Sequence, residues 1–258
     1  MKHKFFYISG LPRTGSSLLS NILMQNPSVH AEGRSALCQM MWDMQCSIEG
    51  PSREALEANR RVPKTNMSVM QALPDLYYSG VKREIVFDKS RTWTRYANHQ
   101  MLKRYIDEKP KVIVLVRPVD EILRSFAKLR IDNGWSGDVY TDLIMPGTDP
   151  IIAPLDGIAH AKFIRDEGFL FVTYKSLVEN PAKVLQAIYK HCELDWFAHD
   201  FDNVEQIFTE DDAGFGLVGM HDVRQKIGLR TNAITLPTNI QGICDDMTET
   251  LYDGLEAI

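Results

Sequence analysis

The chain of 258 residues predicts an α/β fold with three layers, α/β/α, around a central mostly parallel sheet. Three observations lead there. Short apolar runs alternate with segments of helical periodicity over most of the chain, the pattern of strands joined by crossover helices. The run KVIVLV at residues 111–116 shows no polar alternation, as expected of a strand buried on both faces. The first apolar run, residues 5–9, passes through a glycine-containing turn directly into a helical segment.

Taken in order, residues 5–9 form a short buried strand, residues 10–15 a turn, and residues 16–24 a helix with Leu18, Leu19, Ile22 and Leu23 at helical spacing. Asn26 and Pro27 stop that helix, because the residue before proline avoids helical geometry. Residues 29–32 read as a short strand. Residues 35–80 read as a helical insertion carrying Met40, Met41, Trp42, Met44, Leu56, Val69, Met70 and Leu73. A brief strand at 85–87 and a helix at 94–105 follow. After the strand at 111–116, Pro118 opens a helix, where its missing N–H costs nothing. Val119, Ile122, Leu123 and Phe126 give that helix one apolar face. Residues 131–155 are rich in glycine and proline and read as a loop or lid. A helix at 158–166, a strand at 169–173 and an amphipathic helix at 181–191 with Val184, Leu185 and Ile188 inward complete the readable pattern. Beyond residue 200 the periodicity fades, and residues 214–219 read as loop. With no repeat, low-complexity tract or linker, residues 1–258 are expected to form a single domain.

Composition narrows the function classes. The net charge of −5 disfavours generalised nucleic-acid binding, so any important basic groups act locally. Cys38, Cys46, Cys192 and Cys244 form no C-x-x-C pair, which argues against a zinc site, and no metal is expected. A chain of this size needs no disulfide framework, and a reducing cytoplasm is the simplest expectation. No secretory leader and no run long enough for a membrane span is read from the sequence. A homodimer is compatible with it.

In a parallel α/β sheet, ligands bind beyond the carboxyl ends of the strands. The loops after residues 9, 88, 116 and 173 are therefore expected on one rim. In the first of them Gly10 and Gly15 stand five apart between a strand and a helix, a P-loop-like arrangement. Backbone N–H groups and the positive helix end suit such a loop to a phosphate. Position 16, where a nucleotide kinase would carry lysine, is serine, and Arg13 inside the loop offers a cation instead. An ordinary strand–turn–helix with Ser16 as its cap is the bland alternative. Arg117 ends the strand at 112–116, and Ser125 lies two helical turns further on. Together they could clamp a second phosphate by charge and hydroxyl donation. Arg117 could equally cap its helix or pair with Asp120.

These residues resemble a known family. Residues 9–19, SGLPRTGSSLL, look like the 5′-phosphosulfate loop of sulfotransferases that use 3′-phosphoadenosine-5′-phosphosulfate (PAPS), closest to the P-R-[ST]-G-[ST]-[ST]-L form of tyrosylprotein sulfotransferases and their bacterial relatives. The spacing of Arg117 and Ser125 resembles the family's 3′-phosphate motif, with Pro118 where Asp or Asn is frequent. Residues 171–181, FVTYKSLVENP, resemble its Y-E-D-L-x-x-x-P segment, with Lys175 in an acidic position. The resemblance implies a sulfotransferase moving a sulfuryl group from PAPS to a hydroxyl or amine acceptor, leaving 3′-phosphoadenosine-5′-phosphate (PAP). It implies cofactor contacts from Arg13, Thr14, Gly15, Ser16, Ser17, Leu18, Arg117, Ser125 and Tyr174. Tyr174 would lie near the adenine, although a core tyrosine at a strand end is the plain alternative.

For catalysis the resemblance implies Glu32 as general base, two residues before Arg34, with Lys89 and Arg13 stabilising charge on the transferring group and the leaving oxygen. His30 is the rival base, since imidazole titrates near neutrality, and Asp88 is the next carboxylate to consider. A surface pair between Glu32 and Arg34 is the alternative without function. Residues 219–226, GMHDVRQK, carry three potentially cationic side chains. The family's basic loop that closes over the cofactor falls here, implying Arg224 and Lys226, and a solvated charge run is the alternative. A P-loop nucleotide kinase and a non-catalytic nucleotide-binding module remain open as other classes. No motif selects the acceptor.

Overall fold

The computed structural model describes residues 2–61, 64–145, 150–164, 168–229 and 233–258. Five strands form one sheet: β1 (Lys4–Gly10), β2 (Val29–His30), β3 (Ile85–Lys89), β4 (Val112–Val116) and β5 (Phe169–Thr173). Their order is β2-β3-β1-β4-β5, and every neighbouring pair is parallel. The period-2 alternation of strand side chains divides the core in two. Phe6, Ile8, Phe87, Ile113, Leu115 and Val172 point to one face. Phe5, Tyr7, Val86, Val112, Val114, Val116 and Phe169 point to the other.

Helices close both faces. On the first, α1 (Ser16–Leu23), α9 (Tyr174–Glu179) and α10 (Pro181–His191) bury Leu19, Ile22, Leu23, Leu177, Val184, Leu185 and Ile188. On the second, the expected helical insertion resolves into α2 (Leu37–Glu49), α3 (Arg53–Ala58) and α4 (Lys64–Tyr77), joined by α5 (Tyr96–Tyr105), α6 (Val119–Asp132) and α8 (Ile152–Ile164). α6 turns Val119, Ile122, Leu123 and Phe126 inward. The three layers expected from the pattern are present.

Two differences from the sequence reading stand out. The stretch 131–155 is not all loop: α6 runs to Asp132, α7 (Thr141–Ile144) forms a single turn, and α8 starts at Ile152. Positions 146–149 of that loop, and 165–166 of the expected helix, lie outside the described residues. The second is α11 (Thr238–Tyr252), which the fading periodicity hid: Ile240, Cys244 and Leu251 are its buried residues in an otherwise polar stretch. α11 braces α6. The Thr248 hydroxyl accepts the Val119 N–H at 2.9 Å, and Arg124 donates to the Gln241 amide oxygen at 2.6 Å. Among the described residues no helix is long and apolar enough to cross a membrane.

Candidate active site

β1 leads into a loop whose glycines are needed. Gly10 has φ 118°, and a Cβ there would meet the Leu115 carbonyl of β4. The Leu11 N–H donates to that same carbonyl at 3.0 Å, so the loop starts pressed against its neighbouring strand. Gly15, with φ 83°, caps α1 in left-handed geometry, and Arg13 also sits at positive φ, 57°. The Thr14 hydroxyl donates to the Leu11 carbonyl at 2.7 Å, closing the turn from inside. Thr14 is fully buried, and its five expected companions Arg13, Gly15, Ser16, Ser17 and Leu18 line a cavity of about 300 Å³.

That cavity collects the rim as topology required. Besides the first loop it is lined by Lys89 at the end of β3 and Arg91 just beyond it, Arg117 after β4, Ser125 on α6, Tyr174 after β5, and Arg224 and Lys226 from the irregular segment between α10 and α11. The two phosphate motifs touch. Arg13 Nε donates to Ser125 Oγ at 3.0 Å, and Arg117 Nη1 donates to the Arg13 carbonyl at 2.9 Å. The Arg117 guanidinium lies 4.1 Å from the centre of the Tyr174 ring and pairs with Glu121 at 2.9 Å. The pairing with Asp120 considered from sequence goes instead to Arg124. Arg13 also donates to the carbonyl of Met220, tying the irregular segment down over the loop.

Among the described residues, seven Lys or Arg side chains line the cavity against two carboxylates, Glu210 and Asp222. An anion carrying two phosphate-like groups fits that donor set, and the close packing at Gly10 lets the backbone approach it. Lys89 is nearly buried; burial pushes its ammonium below the ordinary lysine range, and Glu210 at 3.4 Å partly opposes this.

The expected bases do not gather here. Glu32 and His30 pair with each other at 3.4 Å, and neither lines the cavity. The His30 contact holds the Glu32 carboxyl below its usual range. Asp88 is fully buried and accepts from Tyr78 and Trp93, each at 2.7 Å, and from Ser35. Those three donors make it a structural hub, and burial raises its pKa. The residues that sequence reasoning left out are Glu210, Asp212, Arg34 as a lining residue, and Arg91. His221 stood out in sequence only as one charge in a basic run. Nothing periodic marks this segment, and only its folding back over the strand ends brings the side chains in.

Comparison with known proteins follows the same line. A family model described as "Sulfotransferase family" matches residues 6–198. No curated protein matches the chain. Among solved structures, a sulfotransferase from Alicyclobacillus acidocaldarius is 15% identical with a TM-score of 0.54, covering 99% of this chain and 95% of that one. The sulfotransferase STF9 from Mycobacterium avium is 14% identical with a TM-score of 0.54, covering 100% and 78%. The sulfotransferase domain of the Synechococcus PCC 7002 olefin synthase is 18% identical with a TM-score of 0.52, covering 97% and 95%. At these identities the likeness is one of fold.

Proposed function

We infer the reaction from one premise: the chain belongs to the sulfotransferase family. It is a sulfotransferase, and its donor is PAPS. The observation that carries the choice of donor is the convergence of the Gly10–Leu18 loop, Lys89, Arg117, Ser125 and Tyr174 on one cavity. Two anionic ends need two sets of donors, and the residues suited to each line this one cavity. Arg13, Ser16 and Ser17 at the start of α1 suit the 5′ end, where helix dipole and hydroxyls add to the guanidinium. Arg117, Ser125, Arg224 and Lys226 suit the 3′-phosphate. Tyr174, its ring already paired with Arg117, suits the adenine.

PAPS supplies a sulfuryl group on a phosphate leaving group. Lys89 and Arg13 stabilise the charge that builds on the leaving oxygen and the sulfuryl oxygens, a contribution made largest by their removal from water. Ser16 in the position of a kinase lysine, together with the family match, disfavours a P-loop kinase.

Incubating the protein with labelled PAPS and a panel of phenols, tyrosyl peptides, oligosaccharides, sterols and amines tests this reading. Transfer of one SO₃ group to an acceptor, with release of PAP, is expected. Consumption of ATP in place of PAPS would contradict it.

A further inference from the structure

We propose that His221 is the general base of the sulfuryl transfer and that Asp212 is the residue that positions it. This rests on the PAPS-dependent reading above and departs from the family-derived assignment of Glu32.

The segment that follows α10 folds back over the strand ends, carrying Glu210 and His221 into the cavity beside Lys89. Asp212 grips His221 twice. One carboxylate oxygen faces ring Nδ1 at 2.5 Å, and the other accepts the His221 backbone N–H at 2.9 Å. A neutral ring held at Nδ1 by a carboxylate carries its proton there, which makes Nε2 the proton-accepting atom. Nε2 faces Glu210 Oε2 at 3.5 Å, and Glu210 Oε1 lies 3.4 Å from Lys89 Nζ. The acceptor nitrogen is thus one carboxylate away from the lysine assigned to the leaving group. Among the charged groups, Asp212 and Glu210 face the ring from its own segment. Lys89 of β3 reaches it through Glu210, and Arg13 bonds the carbonyl of Met220 beside it.

The competing groups are engaged elsewhere. Asp88 spends its oxygens on Ser35, Tyr78 and Trp93, and Glu32 pairs with His30 off the cavity. The Glu210 carboxylate meets Lys89, the Arg34 N–H and His221. Gly33 leaves it room: a Cβ there would collide with Glu210 Oε1.

In the step, the acceptor O–H bond breaks as its oxygen bonds to sulfur, and the proton passes to His221 Nε2. The bond from sulfur to the bridging phosphate oxygen breaks, and that oxygen keeps the electron pair, becoming part of PAP beside Lys89 and Arg13. The imidazolium formed stands between two carboxylates, Asp212 and Glu210, which stabilise it. Its proton then returns to solvent, to which the His221 side chain is 21% exposed.

The test is His221→Gln, measured with ³⁵S-labelled PAPS on the acceptor panel, or with water as acceptor where the panel is inert. PAP affinity is followed by calorimetry. Retained PAP affinity, a fall in kcat of about 10²–10⁴-fold and loss of the acidic limb of the kcat–pH profile are expected. Asp212→Asn should lower kcat and shift the same limb while leaving PAP affinity unchanged, and it carries the test if His221→Gln does not fold. Wild-type kcat in His221→Gln, or in Asp212→Asn where that variant stands in, overturns the proposal. A larger loss in Glu32→Gln than in His221→Gln also overturns it and returns the base to Glu32. Failure of the wild-type protein itself to bind PAP or consume PAPS would sink the PAPS reading instead, which separates the two.

Discussion

Lys89 illustrates how a residue proposed to act in the transfer sits at odds with folding. It is 8% exposed, and burial pushes its pKa below 10.5, with Glu210 pulling the other way. Between the lowered folded value and 10.5 the unfolded chain binds more protons than the native one, so this group makes stability rise with pH through that window. Lys89→Met should therefore leave the melting temperature at neutral pH unchanged or raised, flatten that alkaline rise, and abolish sulfuryl transfer. A clear drop in melting temperature would show that the Glu210 pair outweighs the cost of burial. Arg117 makes the opposite expectation. Its contacts lie with the Arg13 carbonyl, Glu121 and Tyr174. Arg117→Ala should cost about 1.5–3 kcal/mol of PAP affinity and leave kcat at saturation nearly unchanged, since a remote contact is shared by ground and transition states. Calorimetry with saturation kinetics checks both halves. At this scale Arg13, Lys89, Arg117, Ser125 and Tyr174 were legible because each follows a strand end or a loop at fixed spacing. Asp212 and Glu210 were not, because no spacing rule links residues 210–221 to position 89.

Secondary-structure elements were readable where burial is two-sided. β1 and β4 are continuous apolar runs because helices cover both faces of the sheet, and α6 and α10 show one apolar face because they cover one of them. The same logic explains what was missed. α11 buries only three residues against the core, too few for a periodic pattern, and α7 is a single turn inside a glycine- and proline-rich stretch. Yet α11 matters to the site, because it braces the helix that carries Ser125. The Thr248 hydroxyl is the acceptor for the first amide of α6. Thr248→Val, which keeps the shape and removes the acceptor, should cost about 1 kcal/mol of stability with little change in transfer rate. Chemical denaturation measures it, and an unchanged midpoint would mean water replaces the hydroxyl.

For the whole molecule, charge is distributed against its net value. The chain carries −5 overall, while the cavity at the strand ends gathers, among the described residues, seven Lys and Arg side chains from five separated parts of the sequence. The parallel sheet makes that possible by delivering the carboxyl ends of β1, β3, β4 and β5 to one rim. A field built this way attracts a multiply charged anion and weakens with salt. Titration calorimetry of the wild-type protein with PAP and with ADP, both in EDTA, bears most directly on the claim that this cavity holds a 3′,5′-bisphosphorylated nucleotide. PAP is expected to bind without divalent metal, more tightly than ADP and with an affinity that falls as salt rises. Equal affinity for the two nucleotides, or PAP binding that requires added magnesium, would contradict it.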